Sequence, residues 1–160
     1  MEVTAYVALG TNLGSLRENL DGALQRLREK GLQITKVSAY IDTEPYGVTD
    51  QPHFLNAVCE VQTELLPRQL LEMLLQTELE MGRVRLRRWG ERIIDLDLLF
   101  YGSEIINEPD LTVPHPDMQN RDFVLRPLAE IAPDKVHPLL HKTIGQLWQE
   151  YLEKKDTNEV

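Results

Sequence analysis

An α+β fold in the order β-α-β-β-α-β, followed by a helical C-terminal third, is what this sequence predicts. Three observations carry the prediction. Four short runs rich in apolar and strand-forming residues alternate with two stretches of leucine at helical spacing. Helix-start signals precede the leucine stretches and glycines follow them. No internal repeat or low-complexity tract divides the 160 residues, so one domain is expected over 1–160.

Val3–Leu9 reads as the first strand, ending at Gly10. Ser15 and Glu18 have capping-box spacing, in which each side chain serves the other's backbone amide. Leu16, Leu20, Ala23, Leu24 and Leu27 then recur as one helix face, and Gly31 can end that helix. Leu32–Ile41 is a second strand, Thr43–Pro52 a proline-containing loop, and Phe54–Glu64 a third strand. Pro67 suits a first helical turn. Leu70, Leu71, Leu74, Leu75 and Leu79 follow as a stripe, with Gly82 as the stop. Ile93–Tyr101 is the fourth strand, and a Gly102-Ser103 turn leads to a short strand at Ile105–Ile106. Asn107–Pro116 reads as loop and Phe123–Ile131 as helix. Thr143 and Gln146 form a second capping box, opening a helix to about Lys154. This is the ferredoxin-like order: an antiparallel sheet with helices on one face and an additional helical C-terminal segment.

Composition narrows the function classes. Lys+Arg is 17 against Asp+Glu 26, a formal net charge of −9, which disfavours non-specific binding to nucleic acid or an acidic membrane surface. No apolar run approaches the ~20 residues of a membrane span. The start of the chain has no basic region before its apolar part, so no signal peptide is expected. The one cysteine, Cys59, lies in an apolar strand and reads as a small buried hydrophobe. A cytoplasmic protein fits these features.

Asp95 and Asp97 stand out because they interrupt the fourth strand. Residues two apart share a strand face, so the carboxylates point together, about 6–7 Å apart. Leu99 and Tyr101 are expected on their face, with Ile94, Leu96, Leu98 and Phe100 on the core side. Paired like charges need a positive partner. A divalent cation can supply it, because Mg²⁺ takes one or two carboxylates and fills its shell with water and substrate phosphates. A solvated polar face, or pairing with nearby arginines, is the plainer reading.

The segment just before the pair changes that balance. Residues 83–92 hold Arg83, Arg85, Arg87, Arg88 and Arg92 against Glu91, a local charge of +4, with Gly82 and Gly90 bracketing it. The planar guanidinium matches phosphate oxygens two at a time. Arginines on one side and a carboxylate-held cation on the other would clamp a polyphosphate. His115, between Pro114 and Pro116, has a fixed backbone and an imidazole that can meet a phosphate. Gly10–Gly14 matches neither the phosphate-binding P-loop nor the dinucleotide fingerprint, and reads as a turn.

A second constellation is aromatic. Phe54 and Asn56 share a strand face, and a ring beside an amide suits a flat heterocycle that stacks and hydrogen-bonds. Phe123 can form the opposite wall, and Thr43, Pro45 and Gly47 the rim.

Together the stretches AYVALGTNLG, TEPYG, DQPHFLNAV, ELEMGRVR, RWGERIIDLDLLFYG and LTVPHPDMQNRDFVLRPLAEIAP resemble the 6-hydroxymethyl-7,8-dihydropterin pyrophosphokinase family, over about residues 5 to 133. The resemblance implies transfer of the β,γ-diphosphate of ATP to the hydroxymethyl group of 6-hydroxymethyl-7,8-dihydropterin, releasing AMP, in folate biosynthesis. It implies two Mg²⁺ ions held by Asp95 and Asp97, a ferredoxin-like fold and a monomer. On the ATP side it implies Glu78, Arg83, Arg85, Arg88, Trp89, Arg92, Leu98, Thr112, His115 and Arg121, with Arg83 and Arg92 joining the aspartates in catalysis. On the pterin side it implies Gly10, Thr43, Pro45, Phe54, Asn56 and Phe123. Leu75, Asp110 and Pro116 depart from the family pattern and are not assigned to the site. Two rival readings use the same features. A palm-like nucleotidyl transferase also sets two-metal aspartates on such a sheet, and an RNA-binding module also uses aromatic residues there. No aromatic RNA-binding signature is present, and the net charge counts against the second rival.

Overall fold

The computed structural model describes residues 2–43, 53–82 and 93–158. Its layering follows from alternation along the strand Val3–Thr11 (β1). Ala5, Val7 and Leu9 enter one hydrophobic core, while Tyr6 and Ala8 pack into another. A strand apolar on both sides needs a cover on each, and the chain supplies helices for both.

The helix Leu16–Glu29 (α1) buries Leu20, Ala23, Leu24 and Leu27 as its spacing requires. Its end is a Schellman motif: Gly31, at φ +94°, donates to the Arg28 carbonyl, and Leu32 donates to that of Leu27. The strand Gln33–Val37 (β2) and the short strand Ile41–Thr43 (β3) replace the single strand expected over Leu32–Ile41. Both pair with Phe54–Thr63 (β4), β2 along its second half and β3 along its first. The helix Pro67–Glu80 (α2) opens with Pro67 in its first turn, and the Gln69 side chain accepts the Leu66 N–H. The strand Asp95–Tyr101 (β5) completes the main sheet, in the antiparallel order β2-β4-β1-β5 with β3 beside β4.

α1 and α2 cover the first face through Leu20, Leu24, Leu27, Leu70 and Leu74, packed on Val7, Leu9, Val61 and Leu98. Burying each such side chain stabilises by about 1.5–3 kcal/mol. Asp122–Ile131 (α3) and Ile144–Asn158 (α4) cover the second face, where Val124, Leu125, Leu128, Ile144 and Leu147 meet Tyr6, Val58, Leu99 and Phe100. The ferredoxin-like unit with helices on one face is therefore present, and the C-terminal helices make a third layer. Thr143 and Gln146 form the expected capping box at α4, with bonds of 2.8 and 3.1 Å. A hairpin of Ile106–Glu108 (β6) and Leu111–Val113 (β7), expected mostly as loop, lies outside the main sheet.

Three expectations fail for identifiable reasons. Ser15 caps α1 by position, but its hydroxyl makes no capping bond. Leu75 and Leu79 are 48% and 67% exposed, and the buried side of α2 passes through Thr77 and Glu78 instead. In β5 the register with β1 slips between Tyr6 and Val7, so that Tyr6 faces Phe100 while Val7 faces Leu98. Leu99 is the extra residue of a β-bulge, and the alternation reverses after it. Phe100 thus joins Leu99 in the second core, and Tyr101 enters the first. Cys59 is fully buried, and burial pushes its thiol up to about 12, as befits a core residue. Among the described residues no helix is long and apolar enough to cross a membrane.

Candidate active site

The site grows from the end of the sheet where β1 finishes and β4 and β5 begin. Gly10 of β1 stands opposite Asn56 of β4 on one side and Asp95 of β5 on the other. One step along, Ala8 stands between Val58 and Asp97. Strand alternation puts Phe54 and Asn56 on the face of Val58, which lies in the second core. The same alternation, ahead of the bulge, puts Asp95 and Asp97 on the face of Leu99. The heterocycle candidates and the carboxylate pair therefore share one face. Two strand spacings, about 10 Å, separate the Asn56 and Asp95 positions, with only glycine between them.

Gly10 is required by its neighbour. A Cβ there would stand 2.7 Å from the Asn56 Oδ1, so the glycine lets the amide lie over β1. Asn56 is 7% exposed, and its Nδ2 donates to the Thr43 Oγ1 at 2.5 Å, joining the β3 and β4 candidates in one polar pair. Phe54 is half-buried, and its Cδ1 would be 3.8 Å from the same Cβ position. Phe123 begins α3, which packs on β4, and the Arg121 guanidinium carbon lies 5.8 Å from the Phe123 ring centroid. The turn after β1 is tied down by Asn19 of α1, whose Nδ2 donates to Thr11 Oγ1 at 3.0 Å and to the Leu13 carbonyl at 2.8 Å.

Asp95 is half-buried and Asp97 exposed at the edge strand. Glu78 reaches the same strand from α2, on the opposite face, and its Oε2 accepts the Leu96 N–H at 2.7 Å. At the bulge, the His115 N–H donates to the Leu99 carbonyl at 2.9 Å, which places the His115 backbone alongside β5. His115 follows the cis Val113–Pro114 bond, and its Nδ1 lies 2.8 Å from the Pro116 carbonyl. A carbonyl only accepts, so Nδ1 carries the hydrogen. Thr112 is exposed on β7. Leu98 is buried in the first core, so its side chain faces away from the carboxylates.

Six site candidates from the sequence, Pro45, Arg83, Arg85, Arg88, Trp89 and Arg92, fall outside the described residues. Gly82 and Ile93, the described residues on either side of the arginine-rich segment, lie close together: a Cβ on Gly82 would be 3.8 Å from Ile93 Cδ1. Sequence reasoning missed Asn19 and the buried Asn12, which is 2% exposed. The signal for Asn19 was available: asparagine is a poor helix former, so its place in the first turns of α1 calls for a side-chain partner.

The family model for 7,8-dihydro-6-hydroxymethylpterin-pyrophosphokinase matches residues 6–133. The chain belongs to this family. The 2-amino-4-hydroxy-6-hydroxymethyldihydropteridine pyrophosphokinase of Haemophilus influenzae is 50% identical over 137 residues, 85% of this chain and 86% of the relative. The enzyme of the same name from Pseudomonas aeruginosa is 48% identical over 132 residues, 81% of this chain and 80% of the relative. The Plasmodium falciparum HPPK-DHPS solved with pteroate superposes at a TM-score of 0.80 with 17% identity, which bears on the fold alone. This chain is covered completely in that match and spans 44% of the Plasmodium chain. Membership in the pyrophosphokinase family disfavours both the nucleotidyl-transferase and the RNA-binding readings.

The carboxylate pair fits the cation that this family resemblance implies. Asp95 and Asp97 offer hard oxygen donors beside Gly10 and Ala8, neighbours too small to crowd them. Among the described residues no group of three or more His, Cys, Asp or Glu side chains could hold a metal. Two carboxylates suit a Mg²⁺ ion whose remaining ligands are water and phosphate oxygens.

Proposed function

We infer that this pyrophosphokinase transfers the β,γ-diphosphate of ATP to the hydroxymethyl group of 6-hydroxymethyl-7,8-dihydropterin, giving AMP and the dihydropterin diphosphate in folate biosynthesis. The observation that carries this reading is the row Asn56–Gly10–Asp95. It sets an amide able to read a heterocycle and a carboxylate pair able to serve a polyphosphate about 10 Å apart on one face.

Asn56 and Thr43 would hydrogen-bond the polar edge of the pterin, while Phe54 and Phe123 take its faces. The substituent of the ring then points along the sheet toward Asp95. Bound Mg²⁺, two ions by family resemblance, would neutralise the phosphates and favour the alkoxide form of the substrate hydroxyl. Asp95 and Asp97 would hold those ions. Arg83, Arg85, Arg88 and Arg92 would supply cations to the nucleotide, with Trp89 and Thr112 beside it. His115 and Arg121 would meet the phosphates from the β7 side. The rate enhancement comes from positioning and charge neutralisation, the main resources for phosphoryl-type transfer.

A mass-resolved assay with ATP, Mg²⁺ and 6-hydroxymethyl-7,8-dihydropterin tests the reading. AMP and a substrate heavier by one diphosphate group are expected. Release of free pyrophosphate with a nucleotidylated product would establish the competing chemistry.

A further inference from the structure

Among the described residues β5 is an edge strand, so the N–H groups on its outer side have no strand partner there. The Leu96 N–H is one of these, and it is the amide between the two aspartates. It is buried, and Glu78 Oε2 accepts from it at 2.7 Å. Glu78 is itself only 5% exposed. A carboxylate is an unfavourable choice for that place on general grounds, because burial penalises its charge and two further carboxylates flank the amide it holds. What it offers is an acceptor oxygen on a side chain long enough to reach that amide from α2, at 2.7 Å. Rotation of the backbone at Leu96 would swing Asp95 and Asp97 together, since one precedes and the other follows it.

We propose that Glu78 is a positioning residue: by holding the Leu96 amide from beneath the sheet, it fixes the direction and separation of the Asp95 and Asp97 carboxylates for a divalent cation bound with nucleotide. This role rests on the assignment of that pair as the cation ligands. It differs from the direct nucleotide contact that family resemblance suggests for Glu78, because the bond seen here goes to the strand and the carboxylate comes from the face opposite the pair. Outer-shell partners of this kind typically alter metal affinity by about 10–100-fold.

The test uses the full chain with Mn²⁺ as the probe, in the presence of a non-hydrolysable ATP analogue. Mn²⁺ affinity is read by electron paramagnetic resonance, and exchange of the Leu96 amide by nuclear magnetic resonance. Glu78→Gln keeps an acceptor oxygen at the same reach. Glu78→Asp keeps the charge but is one methylene short. Glu78→Asp is expected to weaken Mn²⁺ binding about 10-fold or more and to speed Leu96 exchange. Glu78→Gln is expected to stay within about threefold of wild type in affinity and to keep the amide protected. The reverse order, with Gln defective and Asp intact, would show that charge or ligand contact matters, and would overturn the proposal. Wild-type Mn²⁺ affinity in both variants would overturn it as well. Asp97→Ala serves as the control: unchanged Mn²⁺ affinity in that variant would remove the cation-pair assignment itself, a failure distinct from that of Glu78.

Discussion

Gly10 and Asn56 face each other across β1 and β4 so closely that a single added methyl group would stand 2.7 Å from the Asn56 Oδ1. The amide cannot simply turn away. It is 7% exposed and its other end is held by Thr43 at 2.5 Å. Gly10→Ala should therefore displace Asn56, with a stability loss of about 1–3 kcal/mol from overpacking. KM for the dihydropterin should rise about 10-fold or more while KM for ATP changes little, because the disturbance lies at the amide end of the row. Steady-state kinetics with each substrate varied would decide it, and equal effects on both would disconnect Asn56 from the pterin.

The carboxylates at the other end of the row make a different prediction. Asp97 is exposed at the sheet edge, so Asp97→Ala removes little packing and should leave the melting temperature near that of wild type. Turnover should nevertheless fall by at least about 10²-fold, as expected for loss of a preorganised electrostatic group. Asp95→Ala should lose turnover likewise. Circular dichroism melts alongside single-turnover rates separate the two effects. A variant that turned over normally would move the cation site away from β5.

What could be read in the sequence follows from how local each signal is. The capping box at Thr143, the glycine stops at Gly31 and Gly82 and the leucines of α1 depend on neighbours within a turn, and the structure has them. The DLDL pattern likewise placed Asp95 and Asp97 on one face. Alternation could not reveal the bulge at Leu99, because it depends on how β1 and β5 settle against each other around Tyr6 and Phe100. Nor could helical spacing show that α2 turns Glu78 inward and Leu75 outward. The Leu96 amide draws the carboxylate in, and that amide lies on a strand 18 residues away. The partners of Asn19 are near in sequence but appear only once the turn after β1 has taken shape.

His137 links stability to pH. Its imidazole is 3% exposed, packs edge-on against Phe100 at 5.5 Å, and accepts at Nδ1 from the Leu139 and Leu140 amides. Burial, with the nearby positive charge of His141 and Lys135, holds its pKa below the ordinary value of 6.5. The unfolded chain therefore takes up this proton before the folded one does. The stabilisation is fully present above about pH 6.5 and is lost as pH falls toward the lowered folded value. His137→Asn keeps an acceptor near the Nδ1 position without a titrating ring. Thermal melts across this range should show wild type losing stability faster than the variant. Parallel curves would mean that His137 binds its proton equally well in both states.

His115 is the one nucleotide-side candidate whose tautomer the structure constrains. Nδ1 holds its hydrogen toward the Pro116 carbonyl at 2.8 Å, so in the neutral ring Nε2 is a bare acceptor. An acceptor facing a phosphate oxygen is repelled. To donate to ATP the ring must turn its Nδ1–H from the Pro116 carbonyl to a phosphate oxygen or carry a second hydrogen on Nε2. His115→Ala should weaken ATP by about 10-fold with the pterin affinity kept, read by calorimetric titration of each ligand. If His115→Ala bound ATP as tightly as wild type, His115 would have no place at the phosphates.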